Sequence, residues 1–195
     1  MGLIEPAEFR EILSVRRTEF AWAVVAMIGV MLLGTLQGIV VAIIVSLLAL
    51  AYQLSDPPVH VLARKPGTNV YRPQATGNAD DEQFDGLLLL RPEGRVFFAN
   101  AERIAEKIRP LIDAATPRVV VLDLRSVFDL EYTALKMLTS AEQRMSEKGI
   151  SLWLVGMSPS VWDMVIKAPL GHTLGEARMF LNLELAVEHY QRNRR

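Results

Sequence analysis

Residues Val119–Val155 read VVVLDLRSVFDLEYTALKMLTSAEQRMSEKGISLWLV, and three elements can be marked on this string. Val119-Val120-Val121-Leu122 is a continuous apolar run closed by Asp123, the pattern of a strand covered on both faces. A helix is predicted from about Tyr132 to Lys148, with Leu135, Leu138 and Met145 inward and Gly149 where a left-handed C-terminal residue is wanted. Ile150 to Val155, with Trp153 in it, reads as the next strand. A strand–helix–strand unit of this kind predicts a central sheet with helices packed against it.

The flanking segments continue the alternation. Leu87–Leu90 and Arg95–Ala99 read as two short strands around a Pro92-Glu93-Gly94 hairpin turn. Asn100 is then placed as the cap of a helix whose Ile104, Ile108, Leu111 and Ile112 form one stripe. After Val155, Ser158-Pro159-Ser160 starts a short helix to Ile166. Met179-Phe180-Leu181 reads as a last short strand, and Asn182 caps a C-terminal helix with Leu185, Val187 and Tyr190. The α/β domain is therefore expected over residues 84–195, enough for one core.

The N-terminal third is of another kind. The chain of 195 residues is 51% hydrophobic and 22% charged, but no charge occurs between Phe20 and Ser55. As one straight helix this block would run about 54 Å, well beyond a hydrocarbon core of about 30 Å. Gly34-Thr35-Leu36-Gln37-Gly38 interrupts it, so a transmembrane helical hairpin is expected over 20–55, with helices at about 20–33 and 38–54. Arg16 and Arg17 flank one end, Arg64 and Lys65 the other, and the positive-inside rule puts both on the cytoplasmic side, which needs an even number of crossings. Each half is short of a full span, so the hairpin is expected to lean on neighbouring protein. Before it, Phe9, Ile12 and Leu13 mark a cytoplasmic or interfacial helix within residues 1–19; after it, residues 56–83, with Pro57, Pro58, Pro66, Gly67 and Pro73, read as a polar linker.

Charge and motif content narrow the function. A net charge of −1, from 21 basic and 22 acidic residues, leaves no electrostatic footprint for nucleic acid. With no cysteine, disulfides and thiolate chemistry are excluded; His60, His172 and His189 lack ligand spacing, so no metal site is expected. There is no phosphate-binding glycine loop or nucleophile elbow, and neither a catalytic residue nor a cofactor is expected.

The string Val96-Phe97-Phe98-Ala99-Asn100-Ala101-Glu102, followed by Val119 to Leu124 and then Leu130-Glu131-Tyr132-Thr133-Ala134-Leu135, resembles the STAS domain of sulfate permease (SulP) family anion transporters. Gly38-Ile39-Val40-Val41, Ser46-Leu47-Leu48, Pro57, Val61-Leu62-Ala63-Arg64 and Pro66-Gly67-Thr68 resemble the last two membrane helices of that family and their run into the domain. The resemblance covers nearly the whole chain. It implies a STAS-like fold, a central mixed β-sheet with packed α-helices, preceded by a two-helix transmembrane hairpin. It also implies a secondary carrier of inorganic anions such as sulfate or bicarbonate, usually dimeric and built from many more spans than two. In that family the anion sits in opposing half-helices of a core domain, and none of those is present here, so no anion-binding residue is carried over. The expected role is a C-terminal fragment or subunit supplying gate or scaffold helices and a regulatory, dimerising domain. Its partners would be the remaining transporter membrane domain, a second copy and membrane lipid. The family's distribution implies a bacterial inner membrane, with the STAS domain cytoplasmic. The alternative is a membrane-tethered STAS module that binds a nucleotide, acyl carrier or signalling protein without transport.

One loop separates these readings from a third. Soluble STAS proteins that antagonise anti-sigma factors carry Asp-Ser-Ser/Thr-Gly, with a phosphorylated serine, after the corresponding strand. Here the residues are Glu131, Tyr132, Thr133 and Ala134, so the phosphoacceptor position is a tyrosine and a serine phosphoswitch is not expected. Asp129, Glu131, Tyr132 and Thr133 are the candidate regulatory or docking loop. The plainer role for Asp129, Glu131 and Thr133 is helix capping and first-turn acids. Phe97 and Phe98 are expected to alternate faces in a strand, Trp162, Met164 and Met179 to be core, and Arg192, Arg194 and Arg195 to form a small basic tail.

Overall fold

The computed structural model describes residues 17–193, which divide into two compact units between Leu54 and Ser55. The helix expected within residues 1–19, Arg16, and the tail residues Arg194 and Arg195 lie outside the described residues.

In the first unit, α1 (Arg17–Leu33) and α2 (Thr35–Ser55) are joined by Gly34 alone. Its φ of +86° is a left-handed conformation open to glycine at no steric cost. The break is thus one residue where five were expected, because Thr35 to Gly38 enter α2: the Gly38 amide donates to the Gly34 carbonyl at 2.8 Å. The chain folds back on itself, since a Cβ on Gly29 would sit 3.1 Å from Val41 Cγ1. The second helix is also longer than expected. Leu36–Ser55 is long and apolar enough to cross a membrane, the one such helix among the described residues.

The second unit is a six-stranded mixed sheet in the order β2-β1-β3-β4-β5-β6. Its elements are β1 (Val59–Arg64), β2 (Tyr71–Pro73), β3 (Leu87–Pro92), α3 (Phe98–Ala115), β4 (Val119–Asp123), α4 (Tyr132–Glu147), β5 (Ser151–Val155), α5 (Pro159–Lys167), α6 (Pro169–Leu174), β6 (Met179–Phe180) and α7 (Leu183–Asn193). Strands β3 to β6 are parallel, while β1 runs antiparallel to both β2 and β3.

Alternate residues of the parallel strands explain the unbroken apolar runs. Leu88, Leu90, Val120, Leu122, Leu152 and Leu154 face α3 to α6, whereas Leu87, Leu89, Val119, Val121, Trp153 and Val155 face α7. On that second face the Tyr190 hydroxyl donates to the Asp85 carbonyl at 2.9 Å and fills the space beside Gly86, where a Cβ would lie 2.6 Å from it.

Two expectations are corrected here. Residues 56–83 are not a plain linker, because β1 and β2 lie within them: Val59 to Val61 pair with Leu90 to Pro92, and Leu62 to Arg64 with Tyr71 to Pro73. Prolines mask these strands in the sequence, yet Pro73 sits in the edge strand, where its missing donor costs nothing. Nor do Arg95–Ala99 form a strand; only a single bridge, Val96 to Leu130, remains. Helix α3 begins at Phe98, and Asn100 lies inside its first turn, its Oδ1 accepting from the Phe97 amide at 3.0 Å and its Nδ2 donating to the Arg95 carbonyl at 2.9 Å. Phe97 and Phe98 therefore do not alternate across a sheet; their rings meet edge to face at 5.8 Å. Met179 is buried and Met164 half-buried as expected, but Trp162 is exposed. Arg192 is an exposed partner of Glu188.

Candidate functional site

The loop between β4 and α4 starts from a buried charge. Asp123 ends β4 with no exposed surface, and Arg91, at the end of the neighbouring β3, donates Nη2 and Nε to its Oδ2 at 2.7 and 2.9 Å. The Arg125 amide donates to Oδ1 at 3.1 Å and its guanidinium adds longer contacts. A buried carboxylate is tolerable only with such partners. The residue that closes the apolar run thus accepts a loop amide and two guanidinium groups, of which Arg91 comes from 32 positions away.

From there the chain turns, with the Val127 amide donating to the Leu124 carbonyl at 2.9 Å. Val127 and Leu130 are buried anchors, and Phe128 between them is 66% exposed. The loop is tied to the segment before α3 by three backbone bonds: Gly94 to Ser126, Val96 to Asp129 and Glu131 to Val96, at 2.9, 3.1 and 3.0 Å.

Arg95 clamps the loop's acids. Its Nε lies 2.9 Å from Asp129 Oδ2, its Nη2 2.9 Å from Glu131 Oε1, and its guanidinium carbon 5.9 Å from the Phe97 ring centre. Glu131 is the N-cap residue of α4, and its other carboxylate oxygen accepts from the Phe98 amide at 3.4 Å. The candidate residues thus divide. Asp129 and Glu131 are joined through Arg95, while Tyr132 and Thr133 open α4 and face solvent, Tyr132 at 71% exposure.

Around the ion cluster stand three exposed aromatics: Phe128 in the loop, Tyr132 at the start of α4 and Phe98 at the start of α3. Sequence reading missed Arg95, Phe98 and Phe128 as site residues; the first two lie more than thirty residues before Glu131 and are brought in by the Val96–Leu130 bridge and the backbone bonds beside it. Such a surface has the makings of a contact face, with rigid apolar rings beside charges. It holds no activated nucleophile. No group of three or more potential metal-ligating side chains occurs among the described residues.

The family model of the STAS domain matches residues 78–186. Among curated proteins, the chain is 26% identical to high affinity sulfate transporter 2 of Stylosanthes hamata over 187 residues, 88% of this chain and 27% of that protein. It is 27% identical to a probable sulfate transporter of Mycobacterium tuberculosis over 198 residues, 98% of this chain and 34% of that protein. The chain thus spans about a third or less of the length of these relatives. The solved structure of the murine Solute Carrier 26 family member A9 anion transporter in the inward-facing state superposes with a TM-score of 0.82 at 18% identity, over 97% of this chain and 30% of that one. A sulfate transporter family protein from Wolinella succinogenes gives 0.50 at 22% identity, over 62% of this chain and 95% of that one. The resemblance drawn from the sequence and the STAS-like mixed α/β fold are both borne out.

Proposed function

Since the chain belongs to the STAS domain family, we propose that it serves as the STAS-bearing C-terminal part of a sulfate-permease-type anion carrier, supplying gate or scaffold helices and a regulatory domain while the anion-binding core lies elsewhere. One observation carries this reading: similarity to sulfate transporters runs through the apolar helices and the α/β unit together, over 98% of the chain in the mycobacterial relative. A free-standing binding module would need similarity only over the domain. In this reading the α/β unit is cytoplasmic, the membrane is a bacterial inner membrane, and the working assembly is a dimer that includes the remaining transporter membrane domain.

The loop carrying Asp129, Glu131, Tyr132 and Thr133 is the proposed docking face, with Tyr132, Phe128 and Phe98 as its apolar contacts and Arg95 holding the acids in place. Three rings at such exposure are costly to leave in water, and burying each against a partner would contribute roughly 1.5–3 kcal/mol.

The test is sulfate uptake into inverted membrane vesicles. The chain alone is expected to leave uptake at background, and co-expression with a membrane half carrying the missing helices to raise it. Phe128→Ala with Tyr132→Ala should lower both uptake and co-purification of the two parts several-fold. Uptake by the chain alone would refute the absence of a transport core. Retention of soluble ligands, with no transporter helices, would favour the membrane-tethered module.

A further inference from the structure

A cavity of about 330 Å³ runs between α3 and α4 above β4 and β5, and the docking loop's exposed aromatics are not part of its lining. Both helices follow a strand and lead into the start of the next, so they run side by side in the same direction. At the strands' C-terminal edge the cavity is walled by Val96, Leu124 and Leu130, and along its length by Ile108, Met137 and Leu138. Alanines at 101 and 105 of α3 and at 134 and 141 of α4 also line it, leaving space that larger side chains would fill.

Charge appears at the other edge. Arg109, Asp113, Arg144 and Lys148 line the cavity where α3 and α4 end. Arg109 is paired with Glu102, but Arg144 and Lys148 form no salt bridge among the described residues. Cations in the last turn of a helix offset its dipole; here they also stand at the mouth of an apolar channel, with Asp113 as the one unpaired acid opposite. That end carries one net positive charge.

We propose that this channel binds one long-chain fatty acid, its tail between α3 and α4 and its carboxylate at Arg144 and Lys148. Three properties select that occupant. Apart from Glu102, which is paired with Arg109, the charged side chains of the lining stand at one end, which asks for a ligand with a single charged terminus. From Ala134 to Lys148 the helix rises about 21 Å, which accommodates the roughly 15 Å that an acyl chain spans in half of a ~30 Å hydrocarbon core. The volume stands at the bottom of the usual range of about 300–1,000 Å³ for ligand pockets, room for one chain and not for the two of a phospholipid. The cavity shares the buried Leu130 with the proposed docking loop but none of its exposed rings or acids, so the charge reversal at Arg144 and Lys148 tests this site and the Phe128 and Tyr132 substitutions test the loop.

The experiment uses the full chain in phosphatidylcholine nanodiscs with a diazirine-bearing palmitate, photolysed and mapped by mass spectrometry. Labels are expected on α3 and α4, at Ile108, Met137 and Met145. Excess palmitate should displace them at least tenfold more effectively than hexadecanol, which has the tail and no charge. Arg144→Glu combined with Lys148→Glu, both on the surface, should cut labelling at least tenfold while circular dichroism still shows the folded chain. Ala141→Trp, which fills the channel, should abolish it. Labels confined to α1 and α2, equal competition by hexadecanol, labelling unaffected by the charge reversal, or a self-associated chain that shields these positions would each overturn the proposal.

Discussion

Asp123 shows how much one side chain carries. With no exposed surface and Arg91 across the strand ends, it is one half of a buried ion pair whose other half is only 16% exposed. Removing a single partner strands the remaining charge, so Asp123→Ala is expected to cost about 3–5 kcal/mol, read from urea unfolding; Asp123→Asn, which keeps an acceptor, should lose less. A loss under 1 kcal/mol would mean that water reaches Arg91. Tyr71 is a second case. Burial, reinforced by the nearby Glu184 carboxylate that accepts its hydroxyl hydrogen at 3.3 Å, pushes the phenol up to about 12 from an ordinary 10. The folded state therefore keeps a proton that the unfolded chain has released. This contribution to stability is complete below pH 10 and is lost as pH rises towards 12. Ultraviolet titration of tyrosinate should show late ionisation towards pH 12 that Tyr71→Phe removes; a curve above pH 11 unchanged by Tyr71→Phe would contradict it. Neither residue could be ranked from the string. Asp123 was readable as a strand end, but its guanidinium partner Arg91 is 32 positions away, and Tyr71 fell within a segment that looked like a linker.

Among the elements, helix ends were read well when their chemistry is local. Ser158 does cap α5, its Oγ accepting from the Val161 amide, and Asn182 does cap α7, its Oδ1 accepting from the Leu185 amide. Gly149 is left-handed at φ +74°, as its place after α4 required. The start of α3 failed the same reading because Asn100 binds backward, to Phe97 and Arg95, from within the first turn. The other end of α3 holds a strained residue. Thr116 closes the helix at φ +40°, a region that costs β-branched side chains dearly, while its amide still donates to the Ile112 carbonyl at 2.9 Å. Thr116→Gly is expected to stabilise the unit by about 1 kcal/mol, visible as a higher unfolding midpoint; an unchanged or lower midpoint would show that the threonine side chain makes up for the strain. The missing strands β1 and β2 have a different cause. They are bounded by prolines and partly exposed, so they lack the unbroken apolar run that marked β4 and β5; β1 is held by pairing with β3 and β2 by pairing with β1, with Leu62 and Tyr71 buried in the core.

At the level of the whole molecule the two units differ in what they expose. The first shows large apolar side chains at its surface, among them Met31, Leu32, Leu36 and Leu47, all more than 60% exposed, whereas the second buries two apolar layers on either side of its sheet. The full chain is therefore expected to stay with the membrane pellet through alkaline carbonate washing, while residues 55–195 alone should stay soluble and unfold in one cooperative step. Release of the full chain into the wash, or a broad transition without a baseline for the isolated domain, would contradict this division. Composition and periodicity alone settled the uncharged apolar block, the α/β alternation and the apolar strands, because each depends on neighbours within one or two turns of chain. The strand order, the pairing of Asp123 with Arg91, the clamp of Arg95 on Asp129 and Glu131, and the channel between α3 and α4 were decided only in three dimensions. They join residues tens of positions apart, and nothing in local spacing records which of them the sheet will bring together.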